Sequence, residues 1–223
     1  ITWQDNRTGQ NEIYIQRVNS QGQLLWGVND KNVTSISSLK EKPDLVNTSD
    51  GNFAVIWEDN RSGTKDIYAQ KFDKNGNLLW GVNGTAICNA TGDQTLWAMK
   101  KNIIALDDGG IVVTWEDARA DVGDIYVQRL DSNGIAQWDV NGTVVTNATD
   151  CQRQPIISKI SADKYIILWA DWRNGGAFLQ QDLYLQEINS FGIPQLEING
   201  TVVSNTTGVQ FYYNLLAYNE NII

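Results

Sequence analysis

A chain of 223 residues without one histidine must do any chemistry with carboxylates, tyrosines, lysines or its two cysteines. Ser-His-Asp and Cys-His relays, His-ligated zinc and imidazole proton shuttles are excluded. Neither a Gly-rich phosphate loop nor a nucleophile elbow occurs. The chemistry left open is the paired-carboxylate kind used in glycoside hydrolysis, with two carboxyl groups about 5 to 9 Å apart and one of raised pKa. Acidic residues outnumber basic ones, 26 to 17, for a formal net charge of −9. That sign opposes nucleic acid and anionic lipid as partners. No apolar run is long enough to predict membrane insertion.

Two further residue types carry possible site chemistry. Cys88 and Cys151 form an even pair in a chain of secreted character, which suggests a disulfide. Asn-x-Ser/Thr sequons recur at Asn6, Asn32, Asn47, Asn60, Asn83, Asn89, Asn141, Asn147, Asn199 and Asn205. Their density fits a secreted surface that carries N-glycans in a eukaryote or archaeon, although repetition and an Asn-rich composition inflate it. Asp73-Lys-Asn-Gly76 and Asp131-Ser-Asn-Gly134 faintly resemble calcium loops but lack a distal Glu. They read as tight turns, with no metal or other cofactor required and calcium left open.

The elements that position these residues follow from an internal repeat. Four copies of one phrase run through the chain: Trp3, Asp5 and Arg7; Trp57, Asp59 and Arg61; Trp115, Asp117 and Arg119; Trp169, Asp171 and Arg173. Each is followed by an acidic-apolar-Tyr-x-Gln segment carrying Tyr14, Tyr68, Tyr126 or Tyr184, then a turn glycine and an apolar anchor (Trp26, Trp80, Trp138, Leu196). Asp-Arg pairs occur in catalytic centres, but presence in every copy predicts a structural role: the Asp caps its loop and pairs with the Arg. Between the phrases lie short apolar runs of period two, such as Asn52–Trp57 and Asp66–Phe72, separated by turn signals. Four antiparallel strands per unit predict an all-β fold, a β-propeller of four-stranded blades occupying residues 1–223 as one domain.

The phrase resembles that of uncharacterised secreted and cell-surface β-propeller repeat proteins of bacteria and archaea. It is similar, more distantly, to TolB-type propeller repeats. The resemblance covers essentially the whole chain and implies the propeller fold. It implies no activity, because that family carries no assigned one. The first residues, Ile1-Thr2-Trp3, are not those of an initiator or a signal peptide, which suggests a processed chain or an excerpt. Joining the last residues to the first would complete a repeat in mid-strand. Two readings follow: four blades closing into a ring, which the liability of open edges favours, or a segment of a longer array.

Positions that break the repeat are where a specific task would sit. At the start of the inner strand, equivalent positions hold Pro43, Trp97, Pro155 and Tyr213, with Phe211, Tyr212 and Arg153 beside them. In the loop that begins between the Asp and Arg of the phrase, Trp172 replaces Asn6, Asn60 and Ala118, and an insertion follows around Gly175–Phe178. All map to one face of the disc. Trp97, Trp172, Tyr212, Tyr213 and Arg153 are therefore the candidate ligand-binding residues, suited to sugar or peptide, unless they simply pack between blades. These features predict a non-catalytic extracellular or cell-surface module that binds a glycan or protein. Two alternatives remain: a glycosidase-like enzyme, with Glu41, Asp93 and Asp150 in the inter-blade crossovers as carboxylates to test, and a scaffold that self-assembles or sits among neighbouring repeats.

Overall fold

Each copy of the phrase closes a hairpin around a buried carboxylate. Trp57, Trp115 and Trp169 are fully buried, and their Nε1–H groups donate to Oδ2 of Asp59, Asp117 and Asp171 at 2.8–2.9 Å. The arginine two residues on donates its backbone N–H to the other carboxylate oxygen at 2.9–3.0 Å and its Nη2 to Oδ2 at 2.5 Å. That guanidinium lies over the ring of Tyr68, Tyr126 or Tyr184 at 3.8–4.0 Å. The tyrosine is the cross-strand partner of the tryptophan and stacks on it. The first copy repeats the arrangement with Trp3, Asp5, Arg7 and Tyr14 in a more exposed setting. Spacing along the sequence thus becomes a Trp-Asp-Arg-Tyr unit in each sheet.

A computed structural model of the chain describes residues 1–98, 100–120, 122–174, 180–210, 212–218 and 221–222. It contains only strands among those residues. The first sheet comprises β1 (Thr2–Asp5), β2 (Glu12–Ile15) and β3 (Lys31–Asn32). The second has the order β4 (Lys40–Asn47), β5 (Phe53–Asp59), β6 (Asp66–Phe72), β7 (Thr85–Cys88). In the third, the inner strand is split into β8 (Gln94–Thr95) and β9 (Ile103–Ala105), both paired with β10 (Ile111–Asp117), followed by β11 (Asp124–Leu130) and β12 (Thr143–Thr146). The fourth is β13 (Gln152–Ser161), β14 (Lys164–Asp171), β15 (Asp182–Asn189) and β16 (Thr201–Ser204). A short hairpin of β17 (Ala217–Tyr218) and β18 (Asn221–Ile222) follows. All strand pairings are antiparallel.

The sheets stack face to face, with the inner strand of each against the preceding sheet: β4 on β1 and β2, β9 on β4, β13 on β10 and β11. The apolar core therefore lies between blades. Ile13, Val33, Val55 and Trp57 fill the first junction, Ile67, Ile87, Leu96 and Trp115 the second, and Val112, Val127, Ile157 and Trp169 the third. Anchor tryptophans fasten the outer strands. Trp26, Trp80 and Trp138 each donate Nε1–H to a carbonyl in the next blade, on Lys74, Ser132 and Ser190, at 3.0–3.1 Å. The turn glycine lies under that ring: a Cβ at Gly134 would come within 2.8 Å of Trp80, and its φ of +80° suits only glycine.

The described residues do not close into the expected ring. The β17–β18 hairpin lies against β13, continuing the stack past the fourth sheet, and no strand pairing among the described residues joins it to β1. The reason is local. β13 presents Ile156, which clusters with Leu215 just before the hairpin, so that segment is held on the fourth blade. The expected disulfide is likewise corrected: Cys88 and Cys151 are both buried and are not joined in a disulfide. Cys88 ends β7 beneath the Asp117–Arg119 pair, while Cys151 precedes β13 near the carbonyl of Val122, so their non-equivalent positions give them different neighbours. The insertion around Gly175–Phe178 and the ring of Phe211 lie outside the described residues.

Burial alone would raise the Asp59 carboxyl, but the bonds from Arg61, Trp57 and Ser38 outweigh it and hold it below the usual carboxylate range. Asp59→Ala is expected to cost about 1–3 kcal/mol in denaturant unfolding at neutral pH, because it strands the Trp57 and Arg61 donors. The sign of the pH dependence follows from the lowered pKa. The wild-type advantage is present above the unfolded-state Asp value of about 3.9 and is lost as pH falls through the lower folded value. Equal stability of the two proteins at pH 7 would refute this assignment.

Candidate functional site

The second position of the phrase varies as the fourth does, and holds Gln4, Glu58, Glu116 and Ala170. It lies on the opposite side of the strand from the tryptophan and faces the inner strands. Glu58 is the cross-strand partner of Glu41, and Glu116 that of Thr95. Two glutamates on adjacent blades thus project to the same end of the stack, in contrasting surroundings. Glu58 Oε1 accepts from Lys42 Nζ at 2.9 Å and from Leu96 N at 2.7 Å, and its Oε2 accepts from Lys65 Nζ at 3.2 Å. Lys65 also reaches Glu41 Oε2 at 3.3 Å. Burial opposes the charge on Lys65, but the two glutamates raise its pKa above the usual lysine value.

Glu116 is poorer in cations. Its Oε2 accepts from Trp97 Nε1 at 2.6 Å, and Arg153 Nε lies 3.3 Å from Oε1. Burial pushes its carboxyl above the usual glutamate range, and the charge on Glu58 adds to that push. The Trp97 bond, Arg153 and Lys42 oppose the shift without cancelling it. Glu58 and Lys42 both act on Glu116, and Lys42 bonds to Glu58, which ties the two glutamates into one electrostatic group. One carboxyl is biased toward holding its proton while the other is surrounded by ammonium groups, the division of labour that acid catalysis by paired carboxylates requires.

Irregular inner strands aim side chains at this group. Register shifts fall between Glu41 and Asp44 in β4 and between Arg153 and Ile156 in β13. Lys42 and Gln154 sit at these bulges with φ of 52° and 57°, and Tyr212 repeats that conformation at 57°. Bulges of this sort re-aim side chains and recur beside active sites. In the third blade the departure is larger. Gln94 pairs with Asp117 and Ile103 with Val113, so the strand between them loops out and carries Trp97 and Lys100.

Trp97, Lys100, Gln154, Tyr212 and Tyr213 line a cavity of about 500 Å³ beside Glu116. The Tyr213 hydroxyl donates to Gln154 O at 2.6 Å, and Lys100 Nζ lies 3.8 Å from its ring centroid. Burial raises the Tyr213 phenol, and the charge of Glu116 adds to it. Tyr212 is almost fully exposed at the rim. The structure thus brings together Trp97, Tyr212, Tyr213 and Arg153. Trp172 shares the face but is not among the described lining residues of the cavity; its backbone N–H donates to Cys151 O.

Asp93 Oδ1 accepts Lys65 N from the loop before β6, and Asp150, at φ 63°, offers its backbone carbonyl to Gln152. Of the three expected acids only Glu41 joins the cluster, through Lys65. Glu58 and Glu116 escaped notice because they sit inside the phrase read as purely structural. Their alternation with Gln4 and Ala170 was the available signal. The Asp73 and Asp131 turns spend carboxylate oxygens on their own amides at 2.8–2.9 Å. Sequon asparagines 6, 47, 60, 83, 89, 147 and 205 are exposed. Asn32, Asn141 and Asn199 are half-buried, and their side-chain oxygens cap the amides of Thr34, Asn89 and Asn147.

No protein-family model matches the sequence, and no curated protein matches it. Solved structures do share the fold. The polysaccharide lyase Uly1 superposes with a TM-score of 0.57 at 12% identity, over 98% of this chain and 56% of the lyase. A TolB-type protein from Agrobacterium tumefaciens gives 0.43 at 16%, over 94% of this chain and 62% of that one. The endo-arabinase of Bacteroides thetaiotaomicron VPI-5482 gives 0.48 at 15%, over 92% and 75%. The fold is that of propeller-type proteins. This chain spans under two thirds of the lyase and of the TolB-type protein. The polysaccharide lyase, an enzyme on the same fold, corrects the expectation of a non-catalytic, non-enzymatic module.

A carboxyl titration of Glu116 followed by carbon NMR is expected to give a pKa above the ordinary glutamate value of about 4.3. Trp97→Phe removes a donor to the ionised form and should raise it further. A value at or below the ordinary one, or no movement in the variant, would contradict the environment described.

Proposed function

We propose that this protein is a carbohydrate-active enzyme that hydrolyses glycosidic bonds of a polysaccharide, with Glu116 as general acid and Glu58 as its carboxylate partner. The observation that carries the reading is the pair of glutamates on neighbouring blades in opposed electrostatic settings. Glu116, held toward its protonated form, would pass its proton to the departing glycosidic oxygen as that bond breaks and water adds at the anomeric carbon. Glu58 would stabilise the positive charge developing on the sugar ring, directly or by activating the attacking water.

Trp97 and Tyr213 offer aromatic faces for sugar stacking beside this pair, and Arg153 and Lys100 offer donors to hydroxyls. Tyr212 stands at the rim, and Trp172 would extend the platform along the same face. The polysaccharide lyase that shares the fold supports polysaccharide as the substrate class. An extracellular or cell-surface location suits a polymeric substrate, and the exposed sequons are the ones proposed to bear glycans where the host attaches them.

The test is reducing-sugar release by the full chain from a panel of arabinans, other neutral polysaccharides and uronate-containing polymers. Glu116→Gln and Glu58→Gln are each expected to lower kcat by at least about 100-fold while the circular dichroism spectrum is retained. The alkaline limb of the wild-type pH profile should lie above the ordinary glutamate value and move up in Trp97→Phe. Unsaturated products would replace hydrolysis by elimination. Full activity in both glutamine variants would overturn the residue assignment.

A further inference from the structure

Successive blades meet on one plan, and a lysine in the first junction shows what the later ones need. Where β2 meets β4, Lys40 N donates to Asn11 O at 2.9 Å, and the fully buried side chain turns into the junction. Its Nζ donates to Glu12 Oε2 at 2.7 Å and to the carbonyls of Ile36 and Ser38 at 2.5 and 3.1 Å. A positive group therefore sits between a buried carboxylate and two carbonyls.

Where β6 meets β8, Gln94 takes the place of Lys40: its N donates to Lys65 O at 2.7 Å, and Asp66 stands where Glu12 stood. Gln94 Nε2 donates to the carbonyls of Ala90, Thr91 and Gly92 at 3.1–3.5 Å, the first and last being counterparts of Ile36 and Ser38. The amide thus replaces the ammonium toward the carbonyls and brings no charge. Both carboxylate oxygens of Asp66 and Oε1 of Gln94 lack a hydrogen-bond donor among the described residues, although Asp66 is only 1% exposed and Gln94 0%. A related pair recurs in the last junction, at Asp182 Oδ1 and Gln210 Oε1, although Asp182 Oδ2 there accepts from Asn174 Nδ2 at 3.0 Å.

A buried carboxylate without a counter-charge is strongly disfavoured. Burial pushes the Asp66 carboxyl above its usual range. The nearby Ser62 hydroxyl and Arg61 oppose that push, while the like charges of Asp59 and Asp93 add to it. Ser62 Oγ itself donates to Thr64 O. The orphans on Asp66 and Gln94 are oxygen acceptors, two of them on one carboxylate, a donor set that suits a hard cation.

We propose that the junction between β6 and β8 binds a calcium-class cation through the Asp66 carboxylate, Gln94 Oε1 and water. The ion fills there the role that the Lys40 ammonium fills one blade earlier. A single carboxylate makes the site weak, in the range of about 10⁻⁴–10⁻³ M typical of extracellular modules.

Thermal unfolding of the chelator-treated full chain tests this, comparing calcium chloride with sodium chloride of equal ionic strength. Calcium is expected to raise Tm by several degrees with a millimolar midpoint. Gln94→Lys transplants the first junction's solution. It should raise Tm in chelator and reduce the further gain from calcium, leaving a remainder from the last junction. Asp66→Asn should also reduce the gain, and weaken tryptophan-sensitised luminescence of bound Tb³⁺. Equal Tm in the two salts would overturn the proposal. So would a Gln94→Lys variant with undiminished calcium response, or stability that rises only on acidification, which would mean that Asp66 takes a proton instead.

Discussion

The buried aspartate of each blade is the constraint on which the rest depends. A carboxylate at zero exposure, as in Asp59 and Asp117, is tolerable only if its oxygens are filled. The indole two residues before it and the backbone and guanidinium two residues after it fill them, with the guanidinium sandwiched onto the cross-strand tyrosine. One group therefore ties the end of one strand, the loop that follows and the next strand into a rigid corner. Because the indole has a polar edge and a large apolar body, the same side chain that serves the aspartate also fills the gap to the neighbouring sheet. Removing the carboxylate would loosen both.

A rigid corner leaves its alternate side chain free to vary. Strand pleating sends Trp57 and Asp59 to one face and Glu58 to the other, so the inner-facing position carries no structural duty within the repeat. There the blades differ, with Gln4, Glu58, Glu116 and Ala170. The inner strands opposite are also the least regular, bulged at Lys42 and Gln154 and looped out at Trp97. Variation in the chain is concentrated where the invariant units hold the surroundings still, an arrangement that favours precise placement of a carboxylate pair. The contrast between Glu58 and Glu116 arises from neighbours: two ammonium groups around one, an indole and a guanidinium beside the other.

Stacking by the inter-blade plan accounts for the open form. Each inner strand packs on the preceding sheet, each anchor indole bonds to the next blade, and the β17–β18 hairpin follows the same rule on the fourth sheet. Nothing in that rule distinguishes a last blade from a middle one. The junctions differ instead in how they balance charge: an ammonium at Lys40 in the first, amides at Gln94 and Gln210 in later ones.

Much of the fold was legible in the residues themselves. Periodicity of the Trp-x-Asp-x-Arg phrase, alternation in Asp66–Phe72 and the Asn-Gly and Asp-Gly turns specify hairpins whose register is local, so short-range information suffices. The structural role of the Asp and Arg followed from repetition, and the aromatic grouping of Trp97 with Tyr213 from their equivalent positions. What required the tertiary structure was anything set by distance between blades. Cys88 and Cys151 looked like partners only while their neighbours were unknown. Glu116 has a raised pKa because the assembled blades bury it and bring the charge of Glu58 near, against the opposing pull of Trp97 and Arg153. Asp66 lacks the buried ammonium that Glu12 has because Gln94 stands where Lys40 does one blade earlier. Burial and electrostatic environment are properties of assembled sheets, and the order of residues along one strand does not contain them.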